Sequence, residues 1–320
     1  MATPKTLREA ILFFANYENC HRAVSDIRWP DGVVRCPHCG SENVTYMASV
    51  RRWKCYAKHP KAQFSLKVGT IFEDSAIGLE KWLPALWLVT NCKNGISSYE
   101  LARALGVTQK TAWFMLSRLR LALHAEHGGR WTGEIEADET FIGGKARNMH
   151  AAKRKRLGIS QSRSMIGKTA VMGLLNRRGE DSSQVRLEVI KDRRKHQLED
   201  VVTDNVEAGS SLYTDSLRSY DRMGARGYIH KVIDHAETYV EGQVHTNGLE
   251  NFWSLLKRAI KGTYVSVEPF HLFRYLDEQS FRFNNRKGSD AMRFALALKG
   301  ILGRRLTYTA LTGSELPQTC

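Results

Sequence analysis

Apolar residues recur along the chain with two different periods, and the change of period divides it. Residues 5–24 carry an amphipathic pattern that predicts a short helix. Residues 79–93 predict another, with Pro84 near its start or at a kink. Residues 98–105 and 108–123 predict two helices joined by Gly106-Val107. Ser97 and Glu100 fit a capping box, Gly106 fits the stop of the first helix, and Thr108 fits the cap of the second. Leu101, Ala104, Leu105, Val107, Ala112, Met115 and Leu116 supply the inner faces. Beyond residue 130 the period shortens to two: 133–144, 169–178, 184–192 and 211–215 alternate as strands, and 195–208 reads as a helix. Helical spacing returns from 247 to about 303. Its first helix splits sharply. Leu249, Phe252, Trp253, Leu256 and Ile260 form one stripe, and Asn247, Glu250, Ser254 and Lys257, at steps of 3, 4 and 3, form the other.

Charge changes this picture. The 320 residues hold 48 Lys and Arg against 33 Asp and Glu, a net +15. That balance favours a polyanionic partner, nucleic acid first and an anionic membrane surface second. No apolar run reaches the length of a membrane span, and the start lacks the layout of a signal peptide, so a cytoplasmic protein with reduced cysteines is expected. Three of the six cysteines cluster. Cys36-x-x-Cys39 forms a knuckle, Cys55 follows after a hairpin's length, and His59 completes a tetrahedral Zn2+ set in a segment too small for a core of its own. His38, inside the knuckle, is a bystander.

The helical pair at 98–123 has helix-turn-helix spacing, which an ordinary helical hairpin shares. Gln109, Lys110, Thr111 and Trp113 open its second helix, where base edges would be met, and Arg118 and Arg120 are candidate phosphate contacts. The basic stretch at 145–168, with Lys153, Arg154, Lys155, Arg156 and Lys168, reads as a mobile loop that clamps DNA or is merely solvated. Among the acids, alternation sends Glu136 and Asp138 to one face of their strand and Glu139 to the other. Asp215 ends a short strand, and Glu250 lies on the polar stripe. Two strand acids and one helix acid can converge on two Mg2+ or Mn2+ ions beside a phosphodiester, with Lys257 holding a nearby phosphate. Asp138 as a turn residue and Asp215 as a helix cap are the bland alternatives.

The stretches CPHCG, QFSLKVGTIFEDS, GEIEADETFIGG, YTDSLRSY and HTNGLENFWSLLKRAIKGTY, spread from about 20 to 285, resemble the ISXO-type family of bacterial insertion-sequence transposases with a zinc ribbon, related to Merlin elements. The resemblance implies an α+β multidomain chain: a helical segment at 1–30, a zinc ribbon at 31–76, a helix-turn-helix domain at 77–127, an RNase H-like mixed α/β domain at 130–303, and a tail at 304–320. It implies binding to terminal repeats and target in double-stranded DNA, Mg2+-dependent cleavage and strand transfer, and at least a homodimer. Asp138 and Asp215 match the first two metal-binding acids. Glu250 is the expected third because a carboxylate suits a hard cation, with Asn247 its rival, His245 an outside candidate, and Lys257 at the family's offset. Cys55-x-x-x-His59 departs from the second Cys-x-x-Cys of many relatives. A zinc-ribbon DNA-binding regulator with an inactive RNase H-like domain, or a nuclease that cuts without joining, are the competing functions.

Overall fold

The computed structural model describes residues 4–125, 128–144, 149–156, 167–177, 182–215, 218–233 and 246–313. In chain order the elements are α1 (Leu7–Phe14), α2 (Tyr17–Arg28), β1 (Val44–Met47), β2 (Arg52–Cys55), β3 (Gln63–Phe64), α3 (Leu79–Asn91), α4 (Ser98–Leu105) and α5 (Gln109–Leu123). Then come β4 (Glu134–Ile142), α6 (Ala151–Arg156), β5 (Thr169–Asn176), β6 (Gln184–Ile190), α7 (Lys195–Asn205), β7 (Ser211–Asp215) and β8 (Ile229–Ile233). The chain ends on α8 (Asn247–Ala259), α9 (Leu272–Asn284), α10 (Asp290–Lys299) and α11 (Tyr308–Thr312). Two compact units result: Met1–His124 with Gly288–Cys320, and Ala125–Lys287. The expected boundary at 303 is therefore moved to 287.

In the first unit the expected single N-terminal helix is two. Asn16 adopts an extended backbone, and its side chain accepts from the Glu18 amide at 2.8 Å. That bond caps α2 and ends α1. The three strands pair antiparallel in the order β1-β2-β3. With so little sheet, aromatic rings supply the packing. Trp53 on β2 stacks on Phe64 at 5.7 Å and on His21 of α2 at 5.4 Å. Helix α3 is apolar around its whole circumference, and Trp82, Leu83, Leu86 and Trp87 are all buried. Phe294 of α10 meets the rings of both Phe14 and Trp87. The segment after α10 is pinned by backbone bonds, Ile71 N–H to Ile301 C=O and Gly303 N–H to Gly69 C=O, each 3.0 Å. A side chain at Gly300 would meet the Ala122 carbonyl oxygen at 2.1 Å. Glycine therefore permits this close approach of α10 to α5.

The helix-turn-helix forms with the caps expected of it. Ser97 and Glu100 complete the capping box, Gly106 is left-handed at φ 60°, and the Thr108 hydroxyl accepts from the Thr111 amide. These groups meet the orphan backbone positions at the helix ends. Ala104 is exposed and Ala102 is buried in its place. Arg118 and Arg120 depart from expectation more strongly. Both are buried, and Arg118 donates to the carbonyls of Ile71 at 3.0 Å and Glu73 at 2.6 Å. Arg118 is a pin for the turn at 71–73, because its guanidinium fork satisfies carbonyls that have no ladder to join, and it is withdrawn from any phosphate.

The second unit is a five-stranded mixed sheet in the order β6-β5-β4-β7-β8. Strand β4 is central, antiparallel to β5 and parallel to β7, and both faces of the sheet are covered, the RNase H-like arrangement expected. On one face Ile135, Ala137, Met172 and Leu174 pack with Leu198 and Val202 of α7 and with Tyr220. On the other, Val171, Leu175 and Val185 pack with Leu249, Phe252, Trp253 and Leu256 of α8 and Leu276 of α9. Strand β8 carried no sequence signal, having two exposed apolar residues, Ile229 and Val232, at the sheet edge. Where a loop was expected, residues 151–156 form the short helix α6, and 145–148 and 157–166 lie outside the described residues.

Replacing Arg118 with methionine leaves the carbonyls of Ile71 and Glu73 without their donor. The expected loss is about 2–3 kcal/mol of stability in urea unfolding, with DNA affinity changed less than about three-fold when stability is allowed for. A large loss of affinity in a fully folded variant would restore Arg118 to the DNA interface.

Candidate active site and metal centre

The knuckle at Cys36 is a tight turn closed by Gly40 N–H to Cys36 C=O at 2.8 Å, with Gly40 at φ 74°. Glycine takes that left-handed backbone without strain. Pairing of Val44 with Cys55 then brings β2's last residue back to the knuckle. Ligand atoms of Cys36, Cys39, Cys55 and His59 all lie within 4.8 Å of one another. The His59 Nε2 faces the Cys36 sulfur at 3.5 Å, and its buried Nδ1 has no hydrogen-bond partner among the described residues. Three soft thiols and one imidazole at this spacing fit a closed tetrahedral zinc, with all four positions filled by protein. His38 is exposed, as expected of a bystander.

The carboxylates gather differently. Ala137 pairs with Thr214 in the parallel β4–β7 ladder, so Asp138 and Asp215 follow side by side. Neighbouring strands lie about 4.8 Å apart. Helix α8 lies over that face. The Glu136 carboxylate, 1% exposed, accepts from the Leu249 amide at 2.9 Å and from Arg177 Nε at 2.8 Å. Thr246 contributes no side-chain cap, so an acid from the sheet satisfies the positive end of α8 instead. One turn on, the Trp253 indole N–H donates to Asp138 Oδ2 at 2.9 Å. The other carboxyl oxygen, Oδ1, accepts from the Glu139 amide at 2.8 Å. Gly173, opposite Asp138 on β5, makes this possible: a Cβ there would lie 2.6 Å from the Trp253 ring.

Burial pushes the Asp138 carboxyl up to about 6. The Trp253 and Glu139 N–H groups oppose that shift, and the negative charges of Asp215 and Glu250 add to it. Asn247, Glu250, Ser254 and Lys257 are exposed, and the apolar stripe opposite is buried, as the spacing requires. His245 lies outside the described residues. Glu139 points through the sheet to the other face, where it accepts from the Tyr220 hydroxyl, and burial raises its carboxyl to about 7. Tyr220 sits five residues beyond Asp215, so this bond ties the chain after one acid to the residue after the other.

Sequence reasoning took Trp253 for plain core and missed Gly173, Glu136 and Tyr220 as its accessories. The signal available was the indole N–H, which needs an acceptor when buried. Of the DNA-facing candidates, Lys110 is exposed, Gln109 donates to Ser98 Oγ at 2.8 Å, and the Thr111 hydroxyl bonds that of Thr108. In α6, Arg154 is half-buried and Lys155 exposed, while the side chains of Lys153 and Arg156 lie outside the described ones. Among the described residues no helix is long and apolar enough to cross a membrane.

The chain thus pairs a zinc-ribbon-like Cys/His cluster with a mixed α/β domain, and the comparisons place both in one family. Residues 130–284 match the model of the ISXO2-like transposase domain, and residues 15–57 match that of the transposase zinc-ribbon domain. A Halobacterium salinarum protein, described as an uncharacterized protein in transposable element ISH50, is 28% identical over 252 residues, 77% of this chain and 83% of that one. An uncharacterized transposase-like protein of Haemophilus influenzae is 33% identical over 85 residues, 27% of this chain and 68% of that one. The chain belongs to the ISXO2-like insertion-sequence transposases that carry a zinc ribbon.

Two outcomes are expected. Cys55→Ser should lower bound zinc from about one per chain towards none and unfold the ribbon, as read by metal analysis and circular dichroism. Gly173→Ala should displace Trp253 from Asp138, at a cost of about 1–3 kcal/mol in urea unfolding. An unchanged midpoint would mean that the indole does not need the space.

Proposed function

We propose that this protein cleaves the ends of its insertion sequence and joins them to target DNA, with Asp138, Asp215 and Glu250 as the acidic triad. The observation that carries the reading is the convergence at Asp138: a neighbouring strand acid in register, a helix acid whose charge it feels, and an indole that holds one carboxyl oxygen. The triad would hold two Mg2+ or Mn2+ ions, whose chemistry is to activate an attacking hydroxyl and stabilise the departing oxygen in an in-line displacement at phosphorus.

The protein's own groups do the rest. Trp253 and the Glu139 amide fix the Asp138 carboxylate in one orientation, and each oxygen keeps a lone pair for a cation. Glu250 is preferred to Asn247 because an anion offsets cationic charge that an amide cannot. Lys257 lies seven residues further along the same stripe. That is about 10 Å of helix, and its ammonium would hold a flanking phosphate there. Hydrolysis of a terminal phosphodiester would free a 3′-hydroxyl, and that hydroxyl would then attack a target phosphorus, joining to the target's 5′-phosphate and releasing the target's 3′-oxygen as a hydroxyl.

Lys110, with Gln109 and Thr111 at the start of α5, would meet base edges of the terminal repeat, and the ribbon would hold the adjoining duplex. Lys155 and Arg154 on α6, with Lys153, Arg156 and Lys168, would contact phosphates of flanking or target DNA. Two ends must be paired for joining, so the working form would be at least a homodimer.

The test is strand transfer with Mg2+ on duplexes copied from the element's ends. Asp138→Asn, Asp215→Asn and Glu250→Gln should each lower joining by at least about a thousand-fold without loss of end binding, and Asn247→Ala by less than about ten-fold. Abolition by Asn247→Ala with Glu250→Gln active would reassign the third position. Full activity of Asp138→Asn would remove the triad.

A further inference from the structure

Past Lys257, α8 does not end on a cap. It widens into a π-turn at Ile260–Tyr264, a form that is rare and concentrated at functional positions. Val265 follows at φ 63° and ψ −56°, and the Ser266 amide reaches back to the Tyr264 carbonyl at 2.6 Å. This is a γ-turn of the strained hand, with a β-branched residue at its centre. Both flanks are anchored. The Tyr264 hydroxyl donates to Glu278, its ring meets Tyr275 at 4.8 Å, and Val267 packs on the core between α8 and the sheet. Between those anchors the Val265 side chain is 78% exposed.

Glycine would make the same turn without strain. A strained valine turned outwards makes sense when its side chain is used, since strain of this kind persists only where the surrounding structure holds it and gathers at functional sites. The surroundings say for what. Lys257, Arg258 and Lys261 are exposed on the last turns before it, and Glu268 is the one acid between residues 261 and 271. A cationic run leading to an apolar tip matches a phosphate backbone followed by a base stack, the pattern by which proteins insert apolar wedges between base steps.

We infer that Val265 is a wedge that enters the base stack of the DNA strand running along α8, on the side of the site marked by Lys257. The inference rests on the proposed triad, which fixes where the cleaved phosphate lies. From Glu250 to Val265 is fifteen residues. At the rise of a helix that is about 22 Å. Such a length spans roughly six base steps of about 3.4 Å. The unstacked step therefore lies about six positions from the cleaved phosphate.

The experiment uses the full chain and duplexes copied from the element's end, each carrying 2-aminopurine at one position, with Ca2+ in place of Mg2+ to hold the uncleaved complex. Fluorescence should rise several-fold at one or two neighbouring positions about six steps from the cleavage point and stay flat elsewhere. Val265→Gly keeps the turn and removes the wedge, and Val265→Ser removes its apolar character. Both should abolish the rise, keep the wild-type melting temperature or exceed it, and leave affinity for the unlabelled duplex within about ten-fold. Val265→Leu should restore the rise. No bright position in a complex that goes on to cleave in Mg2+ overturns the wedge and leaves the triad standing. A bright position that survives Val265→Gly overturns it too, as does a Val265→Ser protein that changes oligomeric state with the fluorescence intact. A wild-type chain that binds the duplex but never cleaves it removes the triad, and the wedge with it.

Discussion

The second unit depends on how one helix is docked on one sheet. Helix α8 is held at its first turn by the Glu136 carboxylate on the Leu249 amide, and at its second by the Trp253 indole on Asp138. The first contact joins a buried anion to the positive end of a helix, and Arg177 balances the charge that remains. Losing either contact would leave a buried polar group unmet, which costs more than the bond itself contributes. Between the two contacts the helix can neither slide nor roll. Glu250, the proposed third acid, follows Leu249 in sequence and precedes Trp253 by three, so the same two contacts fix its backbone.

The same docking explains the electrostatics. Trp253 lies on Asp138, and burial makes the ionised form of that carboxyl costly, with the charges of Asp215 and Glu250 adding to the cost. Nothing on that face supplies a compensating cation to Asp138 among the contacts described, since Arg177 is committed to Glu136. Glu139, one residue along and on the opposite face, is raised as well, by burial first, with the charges of Asp138 and Asp215 adding to the shift and the Tyr220 hydroxyl and Arg193 opposing it. Alternation of the pleat decides which partners each acid meets, Trp253 for Asp138 and Tyr220 for Glu139.

Much of this was legible in the chain, for identifiable reasons. Strands β4, β5, β6 and β7 and the two stripes of α8 could be read because burial on a fixed face imposes a period. The caps of α4 and α5 could be read because Ser97, Glu100, Gly106 and Thr108 satisfy orphan backbone groups locally. What escaped depended on contacts between distant segments. Arg118 looks like any surface arginine until the turn at 71–73 is brought beneath it. Strand β8 shows no alternation because it lies at an edge with exposed Ile229 and Val232. The break between α1 and α2 turned on a single capping amide at Asn16, which a helical period runs across unaltered. The three acids were proposed from residue type and order, whereas Trp253, whose indole holds Asp138, was read only as part of the apolar stripe, and Gly173, which makes room for it, carried no reading.

The placement of α10 has the widest consequence for how the chain is organised. Its period is as helical as that of α9, and nothing in the pattern says that the two belong to different units. The separation lies in what each buries. Helix α9 turns Leu272 and Leu276 to the sheet, whereas α10 turns Phe294 to the rings of Phe14 and Trp87 and, at Gly300, comes against the backbone of α5. The second unit is thus an insertion, entered after α5 and left before α10, both helices of the first unit. Arg304 donates to the carbonyls of Leu121 and His124 at the end of α5, so the returning chain also caps the helix from which the insertion departs. An N-terminal fragment cut after α5 would therefore lack both the ring that packs between Phe14 and Trp87 and the cation at that helix end. The first unit is complete only once the whole of the second has been passed.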